Sequence, residues 1–391
     1  MSTIIYTLEK CVKCLKCIKV CPTGAISMHE SKIVVDSDKC VNCGACMDAC
    51  NHLGLQTKGS SLQDMQHYDY NIALVPTAIF GDCTSVTEVN SLLNAIKKLG
   101  FDEVIDLSSY DGYLYELKSD FLKSEQKETC IISSFCPVIN KLIENKYPML
   151  YANMIPFDYA ATIAAKKIRK EKEVQEGKMG IFLLCECIAK LDFAKHPYGN
   201  KNAEIDHVLS LADIFPQIRK NLGSTDLNHD VSCQGLHFVS TQLFLTSEME
   251  RNYMVADGLS KVENVLELLE FGQIKKVKYF HLANCMNGCI GGNLLWGNSF
   301  DKDVNVEKLV KEAKDIKADL TPEMVKRDVK TENQDEQRSM MERLVEFEAL
   351  NKQLEKLPGY DCGACGYPSC RAMAEEIVKG NSKIGDCRVL R

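Results

Sequence analysis

The sequence predicts an α+β chain of several domains: a small cysteine-rich module, an α/β central domain with largely parallel sheets, and a small helical tail that again carries cysteines. Three observations predict it. There is an internal duplication near the amino terminus, an alternation of strand-like and helical apolar patterns through the middle, and a return of closely spaced cysteines at the end. At 391 residues the chain has room for two or three cores, and 45% hydrophobic with 26% charged residues is ordinary globular composition. The expected bounds are 1–58 for the module, 66–300 for the central domain, 301–340 for a charged helical linker and 341–391 for the tail.

A formal charge of −7 without a Lys/Arg cluster argues against nucleic acid as a partner. The opening Met1–Lys10 has neither a basic region nor a long apolar one, and no uncharged run approaches the ~20 residues that cross a bilayer. The expected location is cytoplasmic, away from membranes. In such a reducing compartment, 20 cysteines read as metal ligands before disulfides.

In the module, Cys11, Cys14, Cys17 and Cys21 recur at Cys40, Cys43, Cys46 and Cys50, each displaced by 29 residues. Three cysteines spaced by three wrap one face of a 4Fe-4S cubane, while the fourth reaches the opposite cluster. Cys11, Cys14, Cys17 and Cys50 are therefore expected to hold one cluster, and Cys40, Cys43, Cys46 and Cys21 the other. A zinc ribbon needs only four thiolates and favours two spaced pairs. Residues 1–58 resemble the bacterial two-cluster ferredoxin module, which implies electron transfer. Asn51 replaces the counterpart of Pro22, altering the turn after Cys50 and not the ligands.

The central region reads as alternating strands and helices. Asn71–Pro76, Val104–Leu107, Thr129–Ser133, Gly180–Leu184 and Val277–His281 are strand-like; Ser85–Leu99, Tyr159–Glu173 and Val262–Phe271 are helical. Three strands run into cysteine loops, ending at Cys136-Pro137, at Cys185-Glu186-Cys187 and at Cys285-Met-Asn-Gly-Cys289. Ligands at the carboxy ends of parallel strands converge on one crevice, so Cys136, Cys187, Cys285 and Cys289 are expected to hold a further cubane. Gly288, Gly291 and Gly292 suit a backbone pressed close to it. Cys83, Cys130 and Cys233 read as free core cysteines, and His196, His207 and His281 as structural.

These three loops resemble the H-cluster motifs of the FeFe hydrogenases, in order and at compatible spacing: Cys136-Pro137, Cys187 with Lys190 three residues on, and Cys285-x3-Cys289 followed by glycines. The segments Phe101–Asp106, Ile205–Leu209 and Val265–Gly272 resemble the family's intervening text. The resemblance implies that the four cysteines bind a cubane. It also implies that Cys289 bridges to a diiron unit carrying CO, cyanide and a dithiolate, and that Lys190 donates to a cyanide. The implied reaction is reversible H2 oxidation and proton reduction. The implied partners are H2, protons, an external electron carrier such as a ferredoxin, and the proteins that mature the diiron cofactor; homodimerisation is left open.

Several positions depart from the family. The cysteine that normally precedes the first ligand and shuttles protons is here Phe135, and a phenyl ring relays no proton. Cys185 and Glu186 replace the Met-Pro before Cys187, Ala283 stands for a methionine near the third motif, and Asn293-Leu294 follow Gly292. These changes resemble the sensory-type hydrogenases and imply slow turnover, with Glu186 or Cys185 standing in for the shuttle. The other reading is a hydrogenase-like iron-sulfur carrier or cluster-assembly protein that lacks the diiron unit.

Toward the carboxy terminus, Thr321-Pro322 reads as a helix start. Leu344, Phe347, Leu350, Leu354 and Leu357 form a docking stripe at helical spacing. Cys362, Cys365, Cys370 and Cys387, with glycines beside the first two, are expected to hold a fourth 4Fe-4S cluster. This segment resembles a small 4Fe-4S domain of anaerobic electron-transfer and corrinoid proteins, found also as a tail on divergent hydrogenases.

Overall fold

The duplication is visible in the backbone as well as in the cysteines. In the computed structural model, which describes residues 3–29, 32–124, 130–172, 178–247, 252–327 and 340–390, left-handed residues recur at the repeat distance. Lys13 (φ 56°), Leu15 (φ 62°) and Gly24 (φ 63°) match Asn42 (φ 55°), Gly44 (φ 85°) and Leu53 (φ 54°). The short helices Lys16–Lys19 and Ala45–Asp48 follow at equivalent places. Left-handed backbone costs a residue with a Cβ about 1–2 kcal/mol, so its repetition marks turns that the motif demands. The turn carrying Asn51 keeps its shape. Strands β1 (Ile4–Tyr6), β2 (Ile26–His29), β3 (Lys32–Val35) and β4 (Leu55–Thr57) pair antiparallel as β1-β4 and β2-β3.

The chain folds as two units, one of Met1–Lys58, Glu144–Pro148 and Thr331–Arg391, the other of Gly59–Ile143 and Met149–Lys330. The tail is thus not a body of its own: it packs on the module. The Met28 amide of β2 donates to the Gly366 carbonyl at 3.1 Å, Lys39 pairs with Glu376 at 2.7 Å, and the His29 and Tyr367 rings meet edge to face at 6.0 Å. A Cβ on Gly366, at φ 92°, would lie 2.7 Å from the Met28 carbonyl oxygen. The helix Met340–Leu354 and the helix Cys370–Val378 enclose a small core of Leu350, Leu357, Tyr367, Met373 and Cys387. The side chains of Leu344 and Phe347 lie outside the described residues.

The second unit is built on two parallel sheets. Strands β5 (Tyr70–Val75), β6 (Glu103–Asp106), β8 (Met179–Cys185) and β9 (His207–Ser210) form one, in the order β6-β5-β8-β9. Strands β7 (Ile131–Ile132), β10 (Tyr253–Asp257) and β11 (Tyr279–Ala283) form the other, in the order β10-β11-β7. β5 and β8 pair through Ile72 and Ile181, and Ile72–Val75 and Ile181–Cys185 are buried apolar runs as parallel strands require. Strands β9 and β10 are not evident in the sequence pattern, because each is a short edge strand with weak alternation.

Two expectations for the linker need correction. The helix Ser299–Val310 buries Val306 and Leu309 completely and the stem of Lys302 nearly so, so the first part of the expected linker belongs to the central core. Thr321-Pro322 opens a turn rather than a helix, and the chain then bridges Lys326 to Phe157.

Candidate iron-sulfur and active site

Three cysteine loops leave the carboxy ends of their strands as expected, but from two sheets: Cys136 follows β7, Cys285 and Cys289 follow β11, and Cys187 follows β8. The four thiols act on one another electrostatically, Cys285 on Cys187 and Cys136, Cys289 on Cys136 and Cys285. Burial pushes all four up, Cys187 to about 12 and Cys285 and Cys289 well above the thiol range. Such a site gives up protons when it takes metal.

The glycines of the third loop also allow close backbone crossings. A Cβ on Gly292 would sit 2.4 Å from the Glu186 carbonyl oxygen, and one on Gly288, at φ 82°, 2.5 Å from that of Val239. They let this loop cross two neighbouring backbones, and the Leu294 amide then donates to the Glu186 carbonyl at 3.1 Å.

Beside Cys289 lies an internal cavity of about 40 Å³, walled by apolar side chains including Leu114, Ala160, Leu183 and Phe238. That volume holds roughly three water molecules. Six polar residues line it besides Cys289: Thr77, Asp111, Asp158, Tyr159, Glu186 and Lys190. Lys190 Nζ lies 2.5 Å from Glu186 Oε1, and Glu186 is 2% exposed. Burial alone would draw the Lys190 ammonium down; the Glu186 carboxylate, then Cys289 and Cys187, hold it well above its ordinary value. Glu186 Oε2 has no hydrogen-bond partner among the described residues.

The sequence-named residues separate here. Lys190 and Glu186 meet at the cavity, whereas Cys185 is fully buried and turns its Sγ to the Cys187 carbonyl at 2.8 Å, off the cavity wall. Phe135 lines the cavity and is fixed by stacking on His281 at 4.3 Å. His281 is itself stacked on Phe244 at 3.8 Å, and burial, with the charge of Lys118, holds it well below the usual imidazole range. His196 pairs with Asp192 at 2.8 Å and His207 with the Tyr68 hydroxyl at 3.0 Å. Cys83 sits in the core, and Cys130 and Cys233 are half-buried.

Sequence reasoning missed Asp111. Its carboxylate accepts a hydrogen bond from Thr77 Oγ1 at 2.6 Å, and burial pushes it up to about 7 against the lowering effects of Thr77 and Lys190. A carboxylate in the first turn of a helix, here Ser108–Ser124, reads as an ordinary dipole partner, so nothing local flagged it.

In the other unit, one cavity is lined by Cys11, Cys14, Cys17 and Cys50, and a second by Cys21, Cys40, Cys43 and Cys46. These are the crossed sets that the spacing predicts. In the tail Cys365 neighbours Cys362 and Cys387, and Cys370 and Cys387 are buried in the same small core.

Comparison with known proteins agrees with these parts. Residues 73–229 match the family model for the iron-only hydrogenase large subunit, C-terminal domain; residues 3–51 match a 4Fe-4S dicluster domain, and 357–389 an Fe-S cluster family. The hydrogenase match spans Asp111, Cys136, Cys187 and Lys190 and stops before Cys285. Among curated proteins, a component of an ion-translocating oxidoreductase complex from Rhodobacter capsulatus is 41% identical over 44 residues, 11% of this chain and 24% of that one. Its counterpart from Cereibacter sphaeroides is 52% identical over 31 residues, 8% and 16% of the two chains. The chain thus spans a quarter or less of the length of these relatives. Among solved structures, the [FeFe]-hydrogenase HydA(deltaEFG) is similar with a TM-score of 0.48 at 14% identity, over 63% of this chain and 86% of that one. A variant of HydA1 from Chlamydomonas reinhardtii gives 0.46 at 15%, over 67% and 88%. No helix among the described residues is long and apolar enough to cross a membrane. Two parallel sheets thus carry the cysteine loops at their strand ends, in a chain whose residues 73–229 are similar to the iron-only hydrogenase large subunit and whose residues 3–51 are similar to a 4Fe-4S dicluster domain.

Proposed function

We propose that this protein is an FeFe hydrogenase of low turnover with a hydrogen-sensing role, interconverting H2 with protons and electrons at an H-cluster. The observation that carries the reading is the cavity beside Cys289, in which a largely enclosed, charged Lys190, paired with Glu186, sits among mostly apolar walls. The donor set fits the group: four thiols on loops at the ends of parallel strands for a cubane, and beside Cys289 an ammonium for anionic ligands such as cyanide.

When bound, the diiron unit with its CO, cyanide and dithiolate ligands supplies the hydrogen chemistry itself. The chain does the rest. Cys136, Cys187, Cys285 and Cys289 hold the cubane, Lys190 offers its N–H donors, and Glu186 fixes Lys190 in place. Phe135 and Phe238 keep bulk water out. Three further 4Fe-4S clusters, on the cysteine sets of the module and tail, exchange electrons with an external carrier such as a ferredoxin. Maturation proteins deliver the diiron unit. Proton transfer by a positioned group contributes about 10²- to 10⁴-fold, so an immobile phenyl ring at the shuttle position supports slow turnover.

One observation favours a second reading, an iron-sulfur carrier or cluster-assembly protein without the diiron unit: the stacked Phe135 leaves a cavity of only about 40 Å³. Anaerobic maturation with the diiron cofactor followed by infrared spectroscopy separates the two. Metal-bound CO and cyanide stretches that respond to H2 support the hydrogenase; a silent spectrum with all four cubanes present supports the carrier.

A further inference from the structure

Phe135 removes the usual proton donor, so protons need another way to reach the cavity it lines. Two hydrogen-bonded groups of polar side chains lie between it and the surface within the central unit. Asp111 faces the cavity and takes a hydrogen bond from Thr77 Oγ1 at 2.6 Å. One turn earlier on the same helix, Ser108 Oγ donates to Asp106 Oδ2 at 2.5 Å, and the Ser232 amide holds Ser108 Oγ at 3.0 Å. Asp106 Oδ2 in turn meets His229 Nε2 at 3.2 Å, and the His229 side chain is 42% exposed.

We propose that Asp111, Ser108, Asp106 and His229 form the proton route of this enzyme, in place of the shuttle lost at Phe135. The proposal rests on the hydrogenase reading. A proton released in the cavity passes to the Asp111 carboxylate. Residues i and i+3 of a helix are about 5–6 Å apart at Cβ, and the proposed route has one water bridging Asp111 to Ser108. The Ser108 hydroxyl accepts that proton as it gives its own to Asp106, and Asp106 passes it to His229 Nε2. The imidazole then releases a proton from its other nitrogen to solvent; uptake runs in reverse, and no electrons move along the route.

The protonation behaviour of both ends suits this direction. Burial holds Asp111 at about 7, with Lys190 and Thr77 opposing and Glu186 and Asp106 reinforcing, so it changes state near neutral pH. The hydrogen bond to Asp106 raises His229 above its ordinary value, against partial burial and with help from Asp230. A relay works best when its members titrate near the working pH.

The test uses the full, matured chain. In protein whose infrared CO and cyanide bands match wild type, Asp111→Asn is expected to lower H2 turnover about 100-fold or more and to abolish the pH dependence near 7. His229→Gln, a surface change that leaves the fold intact, is expected to lose about tenfold, with recovery on adding free imidazole. Wild-type turnover and pH profile in Asp111→Asn, or a loss in His229→Gln that imidazole does not restore, would overturn the route. A chain with no CO or cyanide bands fails the hydrogenase reading instead. The route is then judged on cubane-loaded protein by infrared titration. A protonated-carboxyl band lost as pH rises through 7, and missing in Asp111→Asn, supports it; its absence in wild type overturns it.

Discussion

The cysteines of the amino-terminal module and those of the central domain are built for the same kind of cluster, and burial raises thiols in both, Cys17 to about 11 and Cys43 to about 12 in the module. The difference lies in what stands beside them. Cys14 is exposed and most of its neighbours are half-buried. Against a small burial cost, amides from His52, Gly54, Leu55 and Leu53 lower the Cys50 thiol. Around the central cluster site burial raises every thiol, and the cavity wall beside it carries the Lys190–Glu186 ion pair and two further carboxyls, Asp111 and Asp158. An electron carrier needs only thiolates and amide dipoles, which tune potential. Groups that are costly to bury indicate chemistry beyond electron transfer.

The sharpest way to break that contrast is to remove the central cation. Lys190→Met strands the Glu186 carboxylate, and breaking a buried pair from one side costs about 3–5 kcal/mol. Pairing it with Glu186→Gln is expected to restore most of the loss. Trp296, the one tryptophan, is stacked on Phe215 at 3.7 Å in the central unit, so its fluorescence during urea unfolding reports on that unit. A double variant as unstable as the single one would mean the pair is not the cause.

Asp111 offers the next largest effect and a defined sign. Its folded value of about 7 lies above the ordinary 3.8. The folded state therefore favours the protonated acid: the contribution is complete below 3.8 and is lost as pH rises through 7. At about 1.4 kcal/mol per pH unit, wild type is expected to fall by roughly 2–4 kcal/mol relative to Asp111→Asn between pH 4 and pH 8. A difference that stays flat with pH would remove Asp111 from the list of buried acids.

A backbone comparison comes third. Gly292→Ala drives a Cβ into the Glu186 carbonyl at 2.4 Å, whereas Gly24→Ala in the module, at φ 63°, meets nothing nearer than Pro368 Cγ at 3.6 Å. Overpacking costs about 1–3 kcal/mol and a left-handed alanine about 1–2 kcal/mol. Gly292→Ala is expected to lower the iron bound at the central site and spare the module; Gly24→Ala is expected to cost stability alone. Iron analysis with cluster electron paramagnetic resonance distinguishes them.

These contrasts also explain what the sequence made legible. The crossed cysteine sets of the module follow from spacing, because each set of three lies on one short turn and the fourth one repeat away. Strand ends leading to Cys136, Cys187 and Cys285 could be read because parallel strands announce themselves as apolar runs. That two sheets supply them could not, since strand pairing is non-local. Asp111 was silent for the same reason: its burial comes from Thr77 and the loop of Glu186, both distant in sequence. The packing of the tail on the module is likewise set by single contacts such as Met28 to Gly366, which leave no periodicity.

Those contacts supply the smallest and most specific prediction. Glu376 pays a burial cost, but hydrogen bonds from Lys39 and Asn381 hold its carboxyl at about 2, below the ordinary 4.5. A depressed acid stabilises the fold above its unfolded value, so this contribution is present above 4.5 and is lost as pH falls toward 2. Lys39 is 30% exposed and Glu376 17%, which limits the pair to about 0.5–1 kcal/mol. The Met28 amide, bonded to Gly366, gives a local readout through its hydrogen exchange. Lys39→Ala is expected to speed that exchange two- to fivefold at pH 6 and to erase the difference between pH 6 and pH 3. The swap Lys39→Glu with Glu376→Lys is expected to restore protection at pH 6. Exchange that ignores all three changes would mean that apolar packing alone seats the tail, and the two cysteine regions of this unit would then differ from the central site in the absence of a working ion pair.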